Sequence, residues 1–201
     1  MNFFKKFFSS GKEQQAKADQ LKTALDSVYT DEYFKNRYTE QNINDNPVTL
    51  DGCLRMVRGY FLDNKLDPKL ADPINHPINL DQVVVEGMGF QMYCKAFQLE
   101  DGLIVTTLAY AFSDFLINSF GFKLYKDSQP EFPLRSMTLK YDRDGAVLSL
   151  YPFEYSLKVL NHESSFESLY TRLTSQIATL PSKEEFLGKI LDEARGKTGP
   201  A

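Results

Sequence analysis

The chain has 201 residues, of which 42% are hydrophobic and 25% are charged, with a net charge of −4 and a pI near 5.3. These values fit one globular domain, and the mild acidity argues against a general nucleic-acid binder, which needs excess basic residues to neutralise phosphates. Two cysteines are too few for a disulfide framework, so we predict reduced, buried thiols at Cys53 and Cys94.

The first eleven residues form a segment rich in phenylalanine and lysine. On a helix the phenylalanines share a sector of about 140° and the lysines lie on the other side. The residues are Phe3, Phe4, Phe7 and Phe8 on one side and Lys5 and Lys6 on the other. The lysines interrupt the apolar run, which excludes a secretory signal, and no segment approaches the roughly 18 apolar residues of a membrane span. We therefore expect a cytoplasmic protein.

Two uses of this N-terminal segment, residues 1–11, remain open at the level of sequence. It can lie on the body of the protein with its phenylalanines in a groove, or it can hold the protein weakly at a membrane surface. Residues 12–195 are predicted to form a single domain, helical over 12–121, a sheet over 122–153 and helical again over 154–195. Residues 196–201 are predicted to be a disordered tail.

The first half of the domain shows mainly helical patterns. A helix is predicted from Lys12 to Val28, and Thr30 is predicted to cap a second one that runs to about Tyr38. Residues 42–47 read as a loop, and a third helix is predicted over about 50–65.

Three prolines then interrupt residues 66–79, which indicates an extended connection, either a linker or a binding loop. Residues 80–99 favour a helix that tolerates Gly87 and Gly89 for close packing, although valines there also suit a strand. A firmer helix is predicted over 103–120, with Gly121 as its left-handed C-terminal residue.

The hydrophobic period changes after Gly121. Strands are predicted at 122–126, 135–141 and 146–153, with residues 142–145 as a hairpin turn. Pro152 is predicted to end the last strand or to lie at its edge. Two helices follow, with capping boxes at Ser164/Glu167 and Ser182/Glu185. The predicted fold class is α+β, mostly helical, with a small antiparallel sheet of about three strands packed by flanking helices.

Part of this pattern resembles a known family. The motifs are Phe120-Gly121-Phe122 between helix and strand, Tyr151-Pro152-Phe153, and the following Lys158. Over residues 103–180 the chain resembles an uncharacterised bacterial family, the domain of unknown function numbered 3806. The family usually has a tryptophan in the strand after the glycine, where this chain has Leu124 or Tyr125. Since the function of that family is not established, the resemblance implies a fold and no activity.

The sequence offers few residues for catalysis or metal binding. His76 and His162 are isolated, lack the spacing of a metal site with the cysteines, and are expected to be exposed or locally hydrogen-bonded. Neither cysteine has the signature of a nucleophile, and residues 142–145 lack the later ligands of a calcium loop. Glu86 lies within an apolar segment, where a partly buried carboxylate can have a raised pKa and act as an acid or base. We predict no catalytic residue, no metal and no cofactor.

Aromatic residues are the stronger indication of function. Two clusters are candidates for binding another protein, because tyrosine is enriched at interface hot spots. They are Tyr151, Phe153 and Tyr155 around Pro152, and Tyr33 and Tyr38 with Tyr29 and Phe34.

These observations favour a non-enzymatic cytoplasmic protein that binds another protein, as an adaptor or a toxin-neutralising immunity protein would. One alternative is a peripheral membrane protein held by the N-terminal segment. A second alternative is an enzyme of unrecognised type that uses Glu86 or His162. No nucleic-acid partner is expected.

Overall fold

A computed structural model of the chain describes residues 31–45, 47–143, 146–181, 184–185, 187–188 and 191. The chain divides into two compact units, residues 1–37 and residues 38–201. The described part of the first unit is helix α1, Asp31–Arg37. The predictions for the N-terminal segment, for the helix from Lys12 and for the tail from residue 196 lie outside the described residues.

The second unit combines helices with one sheet. It begins with strand β1 (Tyr38–Gln41), followed by helices α2 (Pro47–Asp63), α3 (Pro77–Val85), α4 (Phe90–Ala96) and α5 (Asp101–Phe120). Strands β2 (Lys123–Asp127), β3 (Met137–Arg143) and β4 (Ala146–Leu150) follow, then helices α6 (Pro152–Leu160) and α7 (Phe166–Thr179). The described residues thus form seven α-helices and a four-stranded antiparallel sheet, which confirms the predicted α+β class.

The sheet has the strand order β1-β2-β3-β4, with every neighbouring pair antiparallel. The sequence predicted the last three strands but not β1, so the helical assignment of residues 12–121 is wrong at residues 38–41. Tyr-Thr-Glu-Gln has no apolar alternation of its own. Its strand conformation follows from pairing with β2, in which Tyr38 lies opposite Asp127 and Gln41 opposite Leu124.

One face of the sheet contributes to the core. Leu124, Leu139 and Leu150 lie side by side on β2, β3 and β4, and the first two are buried. The neighbouring row, Lys123, Lys140 and Ser149, lies on the opposite face.

Helix α5 runs through the centre of the unit. Its buried side chains come from most of its circumference, and it packs against α2 and α6. By length and composition α5 could also cross a membrane, but 56% of its apolar stretch is buried inside the protein, as expected for a central core helix. Gly121 ends it in the left-handed region, with φ 77°, which confirms the predicted C-terminal glycine.

Residues 80–99 do not form the single helix that was predicted. They divide into the end of α3 and the whole of α4, with a turn over residues 86–89. Gly87 and Gly89 have φ values of 74° and 87°, which other residues adopt only with strain. The two glycines therefore break the helix.

The prediction that Pro152 ends the last strand is also wrong. β4 ends at Leu150, and Pro152 is the first residue of α6, where its missing N–H leaves no helical hydrogen bond unmade. The predicted capping residue of α7 shifts by one position. Ser165 accepts a hydrogen bond from the Ser168 N–H, while the Ser164 hydroxyl bonds that of Tyr155 at 2.6 Å.

A buried serine in α6 gives a first testable prediction. The Ser156 hydroxyl is fully buried and has no hydrogen-bond partner among the described residues, whereas the buried Ser113 hydroxyl of α5 donates to the Ala109 carbonyl at 2.6 Å. Because an unsatisfied buried hydroxyl costs free energy, Ser156→Ala is expected to raise the free energy of unfolding by about 1 kcal/mol. Urea denaturation checks this, with Ser113→Ala as the matched control. Equal destabilisation of the two variants would contradict the prediction.

Candidate interaction surfaces

The proline-containing loop between α2 and α3 is held by buried amide side chains. Asn79 and Gln82, both on α3, and Asn75 at the end of the loop are each less than 5% exposed. Gln82 accepts a hydrogen bond from the Lys69 N–H and donates one to the Asp67 carbonyl. These side chains replace the hydrogen bonds that the loop backbone cannot make for itself.

Asn79 makes the largest number of these contacts. Its Nδ2 donates to the carbonyls of Leu70, Pro73 and Ile74 at 2.8, 3.4 and 3.2 Å. Its Oδ1 accepts the Leu70 N–H at 3.0 Å. Asn75 joins the same loop to α5, donating to the Ala111 carbonyl and to Asp114. The loop is therefore an ordered part of the fold rather than a linker.

The turn between α3 and α4 is anchored on the C-terminal end of α2. The fully buried Tyr60 directs its hydroxyl into the turn, where it donates to the Glu86 carbonyl and accepts the Gly89 N–H. Asn64, one helical turn later, accepts the Met88 N–H at 3.1 Å. A Cβ on Gly87 would lie 2.9 Å from both the Tyr60 hydroxyl and Asn64 Oδ1, so the turn is also closely packed.

Helix α4 is fastened to its neighbours on two further sides. The Tyr93 hydroxyl donates to Asp63 of α2 at 2.7 Å, and a Cβ on Gly59 would lie only 2.8 Å from that hydroxyl. Lys95 pairs with Asp101 at the start of α5, at 3.3 Å. Burial and the neighbouring Asp63 carboxylate both raise the pKa of Tyr93, so its proton stays available for this hydrogen bond.

This anchored end of the helical layer exposes apolar side chains. Six of the ten exposed large hydrophobic residues in the described part of the chain lie here, with exposed fractions from 50% to 77%. They are Leu62 of α2, Val85 of α3, Met88 of the turn, Met92 of α4, Phe97 after α4 and Leu103 of α5. We call these six residues the helical end surface. Isolated exposed hydrophobics are ordinary, whereas a group of them on one part of a protein is a candidate interaction site.

This surface was not predicted from the sequence. Residues 80–99 were predicted to form one continuous helix, in which Val85 and Met88 are three positions apart and share a face. The break at residues 86–89 changes the direction of the chain and leaves them in solvent. Gly87 and Gly89 are the residues in the sequence that could have indicated this break.

The predicted aromatic cluster around Pro152 is divided by α6. Residues 151, 153 and 155 would share one face of a strand, but on a helix each step of two residues turns by about 200°. Tyr151 lies against the Arg135 guanidinium, 4.9 Å from its ring centre, and Phe153 meets Tyr110 edge to face at 6.0 Å. Tyr155 is buried and stacks on Phe112.

Arg135 organises the half-buried part of this cluster. It bonds Glu131 at 2.8 Å and Glu154 at 2.6 Å, and Glu154 also bonds Lys158 at 3.0 Å. Burial alone would raise the pKa of Glu154, but Arg135 and Lys158 together hold it below its usual value. Each of these charged groups thus has a partner within the protein, so the cluster is occupied by its own interactions.

The other predicted aromatic residues lie in different units. Tyr38 is in β1, where the Lys140 ammonium sits 4.4 Å from the centre of its ring. Tyr33 is in α1 of the first unit, and its side chain lies outside what the structure describes, as do Tyr29 and the phenylalanines of the N-terminal segment.

His76 has a structural position at the start of α3. Its Nδ1 accepts the Ile78 N–H at 3.3 Å, and its ring lies between those of Phe115 and Tyr170. Burial lowers its pKa, against the opposing effect of Glu167. His162 is exposed, with φ 59° in the turn after α6. His76 is thus locally hydrogen-bonded and His162 is exposed, and each of these is one of the two predicted outcomes.

The remaining chemically interesting residues also have structural partners. Cys53 and Cys94 are free and buried, as predicted, and burial raises the pKa of Cys94 to about 12. Glu86 accepts from Gln82 Nε2 at 2.9 Å and pairs with Lys69 at 3.5 Å. Within the described part of the chain, no three His, Cys, Asp or Glu side chains come together as a metal-binding group.

A shallow groove of about 250 Å³ lies beside β1, at the end of α5. It is lined by Glu40, Gln41, Asn42, Ile43, Asn44, Ile117, Phe122, Lys123 and Leu124. Neither Glu86 nor His162 is among its lining residues. Two of these lining residues, Lys123 and Glu40, form an ion pair with each other at 3.3 Å.

Comparisons with protein-family models, with curated proteins and with solved structures found no match to this chain. The resemblance to the domain of unknown function 3806 therefore stays a prediction.

Proposed function

We propose that this chain is a non-enzymatic protein-interaction module that binds a partner protein through the helical end surface. The observation that carries the proposal is the exposure of six large apolar side chains on elements that are joined to one another. Hydrogen bonds and an ion pair connect the end of α2, the turn before α4, α4 itself and the start of α5. Burying such side chains against a partner gains about 1.5–3 kcal/mol for each one that is fully covered.

The chemistry of the surface fits protein recognition. Met88 and Met92 are flexible and polarisable, so they adapt to the shape of an apolar partner, and Phe97 supplies an aromatic anchor. Their backbone is held in place by Tyr60, Asn64 and Asp63. Because this backbone is already ordered, binding does not incur the entropy cost of ordering a loop.

The predicted aromatic cluster supports binding less well. Tyr155 is buried, while Tyr151 and Phe153 pack on Arg135 and Tyr110. We therefore place the main contact on the helical end surface, with Tyr151 and Phe153 as secondary candidates. A cytoplasmic location and an adaptor or toxin-neutralising role remain part of the proposal, and the membrane and enzyme alternatives remain predictions.

The test is tandem affinity purification of the full-length tagged protein from its host, comparing the wild type with Met88→Gln/Met92→Gln. Both side chains are at least half exposed, so the fold should be unchanged. We expect a stoichiometric partner with the wild type and a loss of at least about tenfold with the double variant, since two apolar contacts are removed.

The matched control is Leu187→Gln, which changes an exposed leucine outside the helical end surface. It should retain the partner. Equal recovery of the partner by the double variant and the wild type would contradict the proposal, as would loss with the control alone.

A further inference from the structure

The outer edge of β4 is the second unusual surface of the molecule. β4 is the last strand of the sheet, and no described residue pairs with its free side. In an antiparallel ladder every second residue directs its N–H and C=O away from the existing partner strand. These groups can be satisfied in regular register only by another extended chain.

β4 lacks the features that normally protect such an edge. Its sequence, Ala-Val-Leu-Ser-Leu, contains no charge and no proline, whereas edge strands are usually guarded by lysine, proline or a bulge. The opposite edge strand, β1, is shorter and carries Glu40. On β4, Val147 is 49% exposed.

The strand is also complementary to itself. When two copies of β4 run antiparallel about a two-fold axis at Leu148, Val147 of one copy faces Ser149 of the other. Leu148 and Leu150 then lie on the core side of both sheets, where Leu139 already lies beside Leu150. No like charges meet across this pairing, because β4 has none.

We propose that β4 pairs antiparallel with β4 of a second copy of this chain, which joins two four-stranded sheets into one of eight strands. The contact is isologous, with the same patch used by both copies, and it closes after two subunits. β4 contributes none of the six residues of the helical end surface, so the dimer carries two copies of that surface.

The test measures the mass of the full-length protein by sedimentation equilibrium, from low to high micromolar concentration. The wild type is expected to approach twice its 23.0 kDa. Val147→Glu/Ser149→Glu places glutamates opposite each other across the two-fold axis, and this should weaken self-association at least about tenfold.

Val147→Lys/Ser149→Glu is the matched control, since it also adds two charges but sets Lys opposite Glu in both halves of the contact. This variant should dimerise like the wild type. Within one chain, residue 147 lies opposite Asp142 and residue 149 opposite Lys140, so the control is compatible with the fold. Circular dichroism verifies that both variants are folded.

A wild type that remains at 23.0 kDa at every concentration would overturn the proposal. So would a dimer that the two glutamates do not weaken, because its interface would then lie elsewhere. A dimer lost equally in both charged variants would refute the antiparallel register.

Discussion

Replacing Asn79 with leucine is expected to lower the free energy of unfolding by about 3 kcal/mol. Leucine has nearly the same shape but leaves the Leu70 N–H and three loop carbonyls without their present partner in a buried site. Each unsatisfied buried group costs about 1–3 kcal/mol, and detachment of the loop limits the total.

Urea denaturation measures this change, and hydrogen exchange locates it. The Leu70 amide should lose protection in the variant, because its acceptor is Asn79 Oδ1. The Lys69 amide, which donates to Gln82, should lose protection as well if the loop detaches. Asn118→Leu is the control, since Asn118 is an exposed residue of α5 whose side-chain amide donates to Asp114. Equal stability of the two variants would show that the amides do not hold the loop.

Replacing Tyr60 with phenylalanine is expected to lower the free energy of unfolding by about 2 kcal/mol. It is also expected to loosen the turn over residues 86–89. The ring keeps its edge-to-face contacts with Phe90 and Tyr93, but the Glu86 carbonyl and the Gly89 N–H lose their partner. The change in the free energy of unfolding therefore measures the contribution of the hydroxyl's hydrogen bonds, separately from the packing of the ring.

Thermal and urea unfolding measure the change in the free energy of unfolding. The hydrogen-exchange rates of the Met88 and Gly89 amides measure how often the turn opens. Tyr110→Phe serves as control, because in the described structure the contact of Tyr110 is a ring contact with Phe153. If Tyr60→Phe leaves exchange in residues 86–89 unchanged, the turn does not depend on this hydroxyl.

The parts of the fold that the sequence predicted are those with strong local signals. α5 has a long apolar pattern and a C-terminal glycine, and α7 has a serine cap, although the capping residue is Ser165 rather than Ser164. The antiparallel pairing of β3 and β4 follows from their alternation, although Asp142 and Arg143, predicted as part of the turn, belong to β3. In each case the residues that specify the element lie within it or directly beside it in the sequence.

The parts that were missed depend on distant residues. β1 is a strand because β2, more than eighty residues later in the chain, pairs with it. The residues around Pro152 are compatible with the end of a strand and equally with the start of a helix. The helical end surface arises where α2, α3, α4 and α5 meet, through Tyr60, Asn64 and Tyr93. Such tertiary hydrogen bonds leave no periodic pattern in the sequence.

Site-specific photo-crosslinking tests most directly whether the helical end surface binds a partner. A photoreactive phenylalanine analogue is placed at Met92 of the full-length chain, and at Leu187 in a control, and each is irradiated in the host. The account predicts one discrete cross-linked protein from the Met92 position, lost when Met88→Gln is added, and none from the control. Cross-linking that is absent at Met92, or equal at both positions, would contradict it.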